Sequence, residues 1–205
     1  MTHPNPILID LPMPVVTPRL TIRPVMAGDG VETHAAKIET WDQIALWMPW
    51  ARTIGTVEET EASIREASAR FTLREDLRMV AIERATGRLA VFTGIHNIGS
   101  DLGRVEIGFW ARKGAQGRGL VTEAANGLAR YAFAVLKAHT VCINHAAGNE
   151  PSRKVIERLG FQYEGRLRNA TMLPDGSLRD QLWYSHIAAG DLPPLDVTWG
   201  IDPLK

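Results

Sequence analysis

The chain has 205 residues, enough for one domain with a sizeable core. Its 23 lysines and arginines balance 23 aspartates and glutamates, which removes any bulk electrostatic case for nucleic acid or an anionic membrane as partner. A single cysteine, Cys142, excludes an internal disulfide and fits a reducing cytoplasm. No apolar run approaches the roughly 20 residues that a bilayer span needs, and Met1-Thr2-His3-Pro4 lacks the basic start of a secretion leader. The expectation is a cytoplasmic protein.

In chain order, prolines at 4, 6, 12 and 14, with Pro18 just beyond, make residues 1–17 read as an extended arm. Residues 19–25 alternate as a strand. Asp29 is placed to cap a helix reaching about Ile44, and Trp47-Met48-Pro49-Trp50 interrupts. Thr56 and Glu59 have capping-box spacing at the head of a second helix that runs to about Arg74. Strands follow at 78–83, 89–98 and 104–111, with a turn at 85–88 and a hairpin loop at 99–103. A helix is expected at 120–136, a strand at 140–144, and a short helix at 150–159 with Gly160 just past its end. Strands at 161–167 and 178–187 close the domain, and residues 188–205, with their prolines, read as a tail. Residues 18–187 thus form one mixed α/β domain on a partly antiparallel sheet, and the β-α-β unit at 104–144 makes its two strands parallel neighbours.

The most informative stretch is Gln116-Gly117-Arg118-Gly119-Leu120, between a strand and a helix. First-turn N–H groups are unpaired, the helix dipole adds positive charge, and glycine lets a ligand approach the backbone. Together these favour a phosphate. The dinucleotide fingerprint and the P-loop are both absent, which argues against a dehydrogenase-like or kinase-like protein; two glycines in an ordinary turn remain the plain alternative. Arg112 and Arg118 are either phosphate partners or solvated surface side chains.

A second motif, Asn149-Glu150-Pro151-Ser152-Arg153-Lys154-Val155-Ile156-Glu157-Arg158-Leu159-Gly160-Phe161, joins the glycine loop and Glu106-Ile107-Gly108-Phe109-Trp110. With these three segments and this element order, residues 17–187 resemble the GNAT family of acyl-CoA-dependent N-acetyltransferases. Trp47-Met48-Pro49-Trp50 and Glu164-Gly165 resemble its RimJ/RimL branch, which includes enzymes that acetylate α-amines of ribosomal proteins. Gly114 departs from the Gln or Arg that the family's loop often carries there.

The resemblance implies a mostly antiparallel sheet of about seven strands with a central V-shaped splay, flanked by about four helices. It implies acetyl-CoA as cofactor, with pantetheine in the gap beside Phe109, Trp110 and Ala111, and pyrophosphate on the main chain of Gln116 to Leu120. Asn149 is either a helix cap alone or a cap that also meets the cofactor. Ser152, one turn on, is a proton donor to the leaving sulfur or a serine bonded to backbone. Glu106 is a general base, directly or through water, or a rim carboxylate. His96, Trp47, Trp50 and Asp180 are candidates for the acceptor side, each with a packing or ion-pairing alternative, and His96, on the neighbouring strand, is also a candidate for the base beside Glu106. Cys142, between Val141 and Ile143, reads as core, and no spacing suggests a metal.

The expected reaction is direct acetyl transfer, in a ternary complex, to a primary amine. A ribosomal-protein N-terminus is the favoured acceptor, a small amine or aminoacyl-nucleotide the rival. A catalytically silent acyl-CoA-binding module is the alternative of another class. A homodimer is compatible with the aromatic and proline-rich edges.

Overall fold

The computed structural model describes residues 5–98 and 103–200. Most of the expected hairpin loop at 99–103 lies outside the described residues. The strands are β1 (Val15–Val16), β2 (Leu20–Pro24), β3 (Leu77–Glu83), β4 (Leu89–His96), β5 (Arg104–Ala111), β6 (Thr140–Ala146), β7 (Gln162–Met172), β8 (Leu178–His186) and β9 (Thr198–Trp199). The helices are α1 (Gly30–Trp47), α2 (Val57–Leu73), α3 (Leu120–Ala134) and α4 (Glu150–Arg158).

Among the described residues, nine strands form one sheet in the order β7-β8-β6-β5-β4-β3-β2-β1-β9. Every neighbouring pair is antiparallel except β5 and β6. That parallel pair is the expected consequence of the helical crossover through α3. The sheet has two more strands than expected, because short stretches of the arm and the tail pair at its edge. Val15 is fully buried there, and β1 carries β9 on its outer side. Two-residue strands have no periodicity of their own to read.

Helix boundaries follow local chemistry. Thr56 Oγ1 accepts from the Glu59 N–H while the Glu59 carboxylate accepts from the Thr56 N–H, so the capping box is formed. At the end of α4, Gly160 has φ +76°, its N–H reaches Glu157 O, and Phe161 N–H reaches Ile156 O. This is the paired bonding of a left-handed helix stop. Asp29 does precede α1, but its side chain makes no cap bond. Its carboxylate instead takes both ends of the Arg23 guanidinium at 2.7 Å and the Met26 N–H at 2.9 Å.

Helices cover both faces of the sheet. On one face, Ala36 of α1 and Ile64 and Ala67 of α2 pack with Val80 and Phe92. On the other, α3 buries Leu120, Ala124, Ala125, Leu128, Ala129 and Tyr131 against the central strands. Small residues let α3 lie close: a Cβ on Gly127 would come within 3.0 Å of Thr17 Cγ2. Glu123 ties the first turn of α3 to the strand side. It accepts from Thr17 Oγ1 at 2.7 Å, from the Arg19 N–H at 2.8 Å and from Arg19 Nε at 2.6 Å. Burial raises its pKa, but these bonds outweigh burial and hold the carboxyl below its ordinary value.

Candidate active site

β5 and β6 stay paired only at Arg104–Thr140, Val105–Val141 and Glu106–Cys142, and then part. Main-chain groups of successive strand residues alternate in direction. Arg112 N–H bonds Ala90 O of β4, so by alternation Ile107 and Phe109 turn their N–H and C=O groups into the gap. A backbone edge opened inside a domain needs a partner. The Gln116 side chain satisfies the far end, donating from Nε2 to Ala111 O at 3.0 Å.

The gap opens into a cleft of about 660 Å³. Phe109, Trp110 and Ala111 form its floor; Gln116, Gly117, Gly119 and Leu120 close one end, and Asn149 and Ser152 the other side. One face of α1 contributes Thr40, Gln43, Ile44 and Trp47, spaced as a helical stripe. The cofactor residues expected on β5, the glycine loop and α4 are therefore brought together, with Trp47 beside them.

The loop is built to take an anion. Gly117 and Gly119 adopt φ +71° and +77°, and a Cβ on Gly117 would meet nothing within 4 Å. Among the described residues, the N–H groups from Gly117 to Thr122 have no acceptor, and the first inward bond is Glu123 N–H to Gly119 O. Such a run of outward donors at a helix start fits a pyrophosphate.

Neither expected arginine serves the cleft with its side chain. Arg112 is 5% exposed and held between Glu32 and Glu39 of α1, each at 2.9 Å. The Arg118 guanidinium pairs with Glu83, while the Arg118 carbonyl accepts from Arg19. Positive charge at the cleft comes instead from Lys154 and Arg158, which share a face of α4 with Pro151 and Val155. Their i, i+4 spacing is readable in the sequence, but the direction of that face is not.

Asn149 is buried, and its side-chain oxygen accepts from the Ser152 N–H at 3.2 Å. It therefore caps α4 with one end of its amide and leaves the NH₂ end for a ligand. The Ser152 hydroxyl makes no hydrogen bond among the described residues and lines the cleft.

Glu106, His96 and Trp50 lie on the sheet face that carries α1 and α2. Glu106 is the last β5 residue paired to β6, and its β4 neighbour is His96. Asn144 Nδ2 donates to Glu106 Oε1 at 2.6 Å, and Asn97 Nδ2 to Oε2 at 3.3 Å. The chain continues: Gln181 Nε2 donates to Asn144 Oδ1 at 2.7 Å, and Trp183 Nε1 to Gln181 Oε1 at 3.0 Å. This polar row across β5, β6 and β8 was not anticipated, since it exists only once the register is known. Trp110 stacks on Phe92 at 3.9 Å, and the half-exposed Trp50 leans on Trp110 at 6.4 Å, with Lys37 Nζ 5.7 Å from its ring.

Asp180 is not available to an acceptor amine. It pairs with Arg166 and accepts from the Asn169 N–H at 2.8 Å, which together hold its carboxyl below the usual range. It staples the β7–β8 hairpin. Cys142 is fully buried, and burial pushes its thiol up to about 11, so it stays a core residue. Among the described residues no cluster of His, Cys, Asp or Glu could hold a metal, and no helix is long and apolar enough to cross a membrane.

The acetyltransferase (GNAT) domain family matches residues 19–162. The chain is 30% identical over 173 residues to "Putative ribosomal N-acetyltransferase YdaF" of Bacillus subtilis (strain 168), covering 83% of this chain and 92% of that protein. It is similar to the crystal structure of a protein titled "Probable acetyltransferase", with TM-score 0.77 and 27% identity, over 83% of this chain and 93% of that one. At the level of fold it also resembles RimL, the ribosomal L7/L12 alpha-N-protein acetyltransferase solved with coenzyme A. There the TM-score is 0.78 at 18% identity, over 85% of this chain and 97% of that one.

Proposed function

This chain belongs to the acetyltransferase (GNAT) domain family and is an acetyl-CoA-dependent N-acetyltransferase, and from that premise we propose that it acetylates the α-amine of a protein N-terminus, of the ribosomal-protein type, by direct transfer. The observation that carries the direct route is the parting of β5 from β6. It opens the sheet beside the cofactor cleft, and Glu106, with His96 as its β4 neighbour, stands where the strands part, which supports a meeting of donor and acceptor there. The only thiol, buried and hard to ionise, is unsuited to carry an acyl group between them.

Bound acetyl-CoA supplies an acetyl thioester. The free N–H groups from Gly117 to Thr122 hold its pyrophosphate, with the cationic Lys154 and Arg158 nearby. The inward main chain of Ile107 and Phe109 pairs with pantetheine and offers an N–H to the thioester carbonyl. The free amide end of Asn149 meets the pantetheine, and the Ser152 hydroxyl donates a proton to the departing sulfur. Glu106, fixed by two amide donors, anchors the acceptor ammonium. Trp50 and Trp47 rim the entry for a peptide. The ribosomal name of the Bacillus relative supports this acceptor class, and a cytoplasmic location agrees with it.

The test is an acetylation screen read by mass spectrometry. It sets peptides with ribosomal-protein N-termini beside small amines and aminoacyl-nucleotides. Turnover of N-terminal peptides is expected. Turnover of small amines only would overturn the acceptor class, and cofactor binding without any turnover would leave a silent acyl-CoA-binding module.

A further inference from the structure

On the acceptor face, His96 is the cross-strand neighbour of Glu106, at the point where the sheet opens. Its imidazole lies over the backbone of the two central strands. A Cβ on Gly108 would come within 3.0 Å of His96 Nε2, and a Cβ on Gly94 within 3.0 Å of Cε1. Two facing glycines therefore make the seat for this ring, and Gly108 stands between Ile107 and Phe109, whose main chain faces the gap. The ring is also oriented from behind. Nδ1 is hydrogen-bonded to Asp76 Oδ1, in the turn before β3. With the proton on Nδ1 donated to the carboxylate, the lone pair is left on Nε2. Among the described residues Nε2 has no hydrogen-bond partner, and the His96 side chain is 35% exposed against 19% for Asp76. A partly buried carboxylate behind a more open imidazole is the arrangement that fixes a tautomer and steadies an imidazolium.

We propose that His96 is the proton acceptor for the amine, and that Asp76 is its positioning residue. The acceptor ammonium gives one proton to Nε2. Its nitrogen then forms the C–N bond to the acetyl carbon while the C–S bond breaks. The nitrogen sheds a second proton, which balances the one the sulfur takes up, and Nε2 returns its proton to solvent. Glu106 keeps a second lone pair on each oxygen and so can hold the ammonium, while the two amide donors, which favour its ionised form, make it the weaker proton acceptor of the two.

Among the described residues, four charged side chains stand around the pair. Arg78 on β3 is the register neighbour of Gly94, Arg70 of α2 acts on Asp76, and Lys37 of α1 lies near Arg78. Glu106 faces His96 from β5. Burial raises the Asp76 carboxyl, but the His96 bond and the charges of His96, Arg78 and Arg70 outweigh it and keep the carboxyl below its ordinary value. Asp76 thus stays ionised behind the ring.

This inference rests on the N-acetyltransferase reading but does not depend on which amine is accepted. One arm uses no acceptor. In protein labelled with ¹⁵N at histidine, long-range ¹H–¹⁵N spectra read the His96 tautomer at alkaline pH, assigned by its loss in His96→Gln. A proton on Nδ1 is expected, switching or becoming mixed in Asp76→Asn; a proton resident on Nε2 would overturn the proposal. The second arm uses the best peptide from the screen and a full pH profile. His96→Gln should lower kcat by about 10²-fold and abolish the acidic limb, with KM and the acetyl-CoA Kd within about twofold. Asp76→Asn should lower kcat about tenfold or more, again with KM preserved. A His96→Gln enzyme that keeps the wild-type limb and a kcat within about twofold would overturn it as well. Failure of the amine screen leaves the tautomer arm standing, so the two failures are distinct.

Discussion

Asn149 and Ser152 divide the first turn of α4 between architecture and chemistry. The Asn149 oxygen is spent on the Ser152 N–H, so the helix is capped whatever happens to the serine hydroxyl. Replacing Ser152 by Ala should therefore leave the fold and the acetyl-CoA Kd within about twofold while kcat falls about 10²-fold, as calorimetry and initial rates would show. A loss confined to Kd would mean that the hydroxyl holds the cofactor and donates nothing. The Asn149 cap was legible in the sequence because a cap works within three positions. Arg112 was not: its Glu32 partner stands 80 positions upstream, and only the fold brings α1 over the end of β5. Asp76 was missed for the same reason. Nothing in the local pattern ties it to His96, 20 positions on, until β3 and β4 pair.

Among the elements, the phosphate loop depends on how α3 is moored. Glu123 receives three hydrogen bonds from Thr17 and Arg19, and Arg19 in turn donates to the Arg118 carbonyl in the loop at 2.8 Å. Its carboxyl is depressed from an ordinary 4.5, so the folded state holds the ionised form more strongly than the unfolded chain does. That stabilisation is complete above the unfolded value and is lost as pH falls from about 4.5 through the lower folded value. Glu123→Gln should cost about 2 kcal/mol in urea melts at neutral pH and flatten the loss of stability below pH about 4.5. An unchanged acid limb would show that other carboxylates control it. The helices of this fold were readable because the capping box at Thr56 and the left-handed stop at Gly160 are local devices. β1, β9 and the far half of β7 were not. The first two are two-residue strands made by their partners, and β7 carries register shifts at Tyr163/Gly165 and Leu167/Thr171 that break the alternation.

At the scale of the molecule, one parallel junction in an otherwise antiparallel sheet does the organising. Three residue pairs hold β5 to β6, and beyond Glu106 the strands diverge to leave a gap beside the cleft. On one side α3 and α4 present first-turn N–H groups and a free hydroxyl; on the other, α1 and α2 frame Glu106, His96 and Trp50. The β-α-β unit that creates the junction was visible in the order of elements, and the glycine loop marked one of its ends. The direction of each side chain was not, because faces are assigned by register. In the proposed arrangement this gap and its loop hold acetyl-CoA. Calorimetric titration of acetyl-CoA into the wild type and Gly117→Glu, both verified as folded by circular dichroism, tests it most directly. Gly117 sits at φ +71° with open space where a side chain would go, so the variant strains the loop by only about 1 kcal/mol while placing a carboxylate among the phosphate donors. Micromolar binding by the wild type and its loss in the variant are expected. Equal binding by both proteins, or none by the folded wild type, would contradict that arrangement.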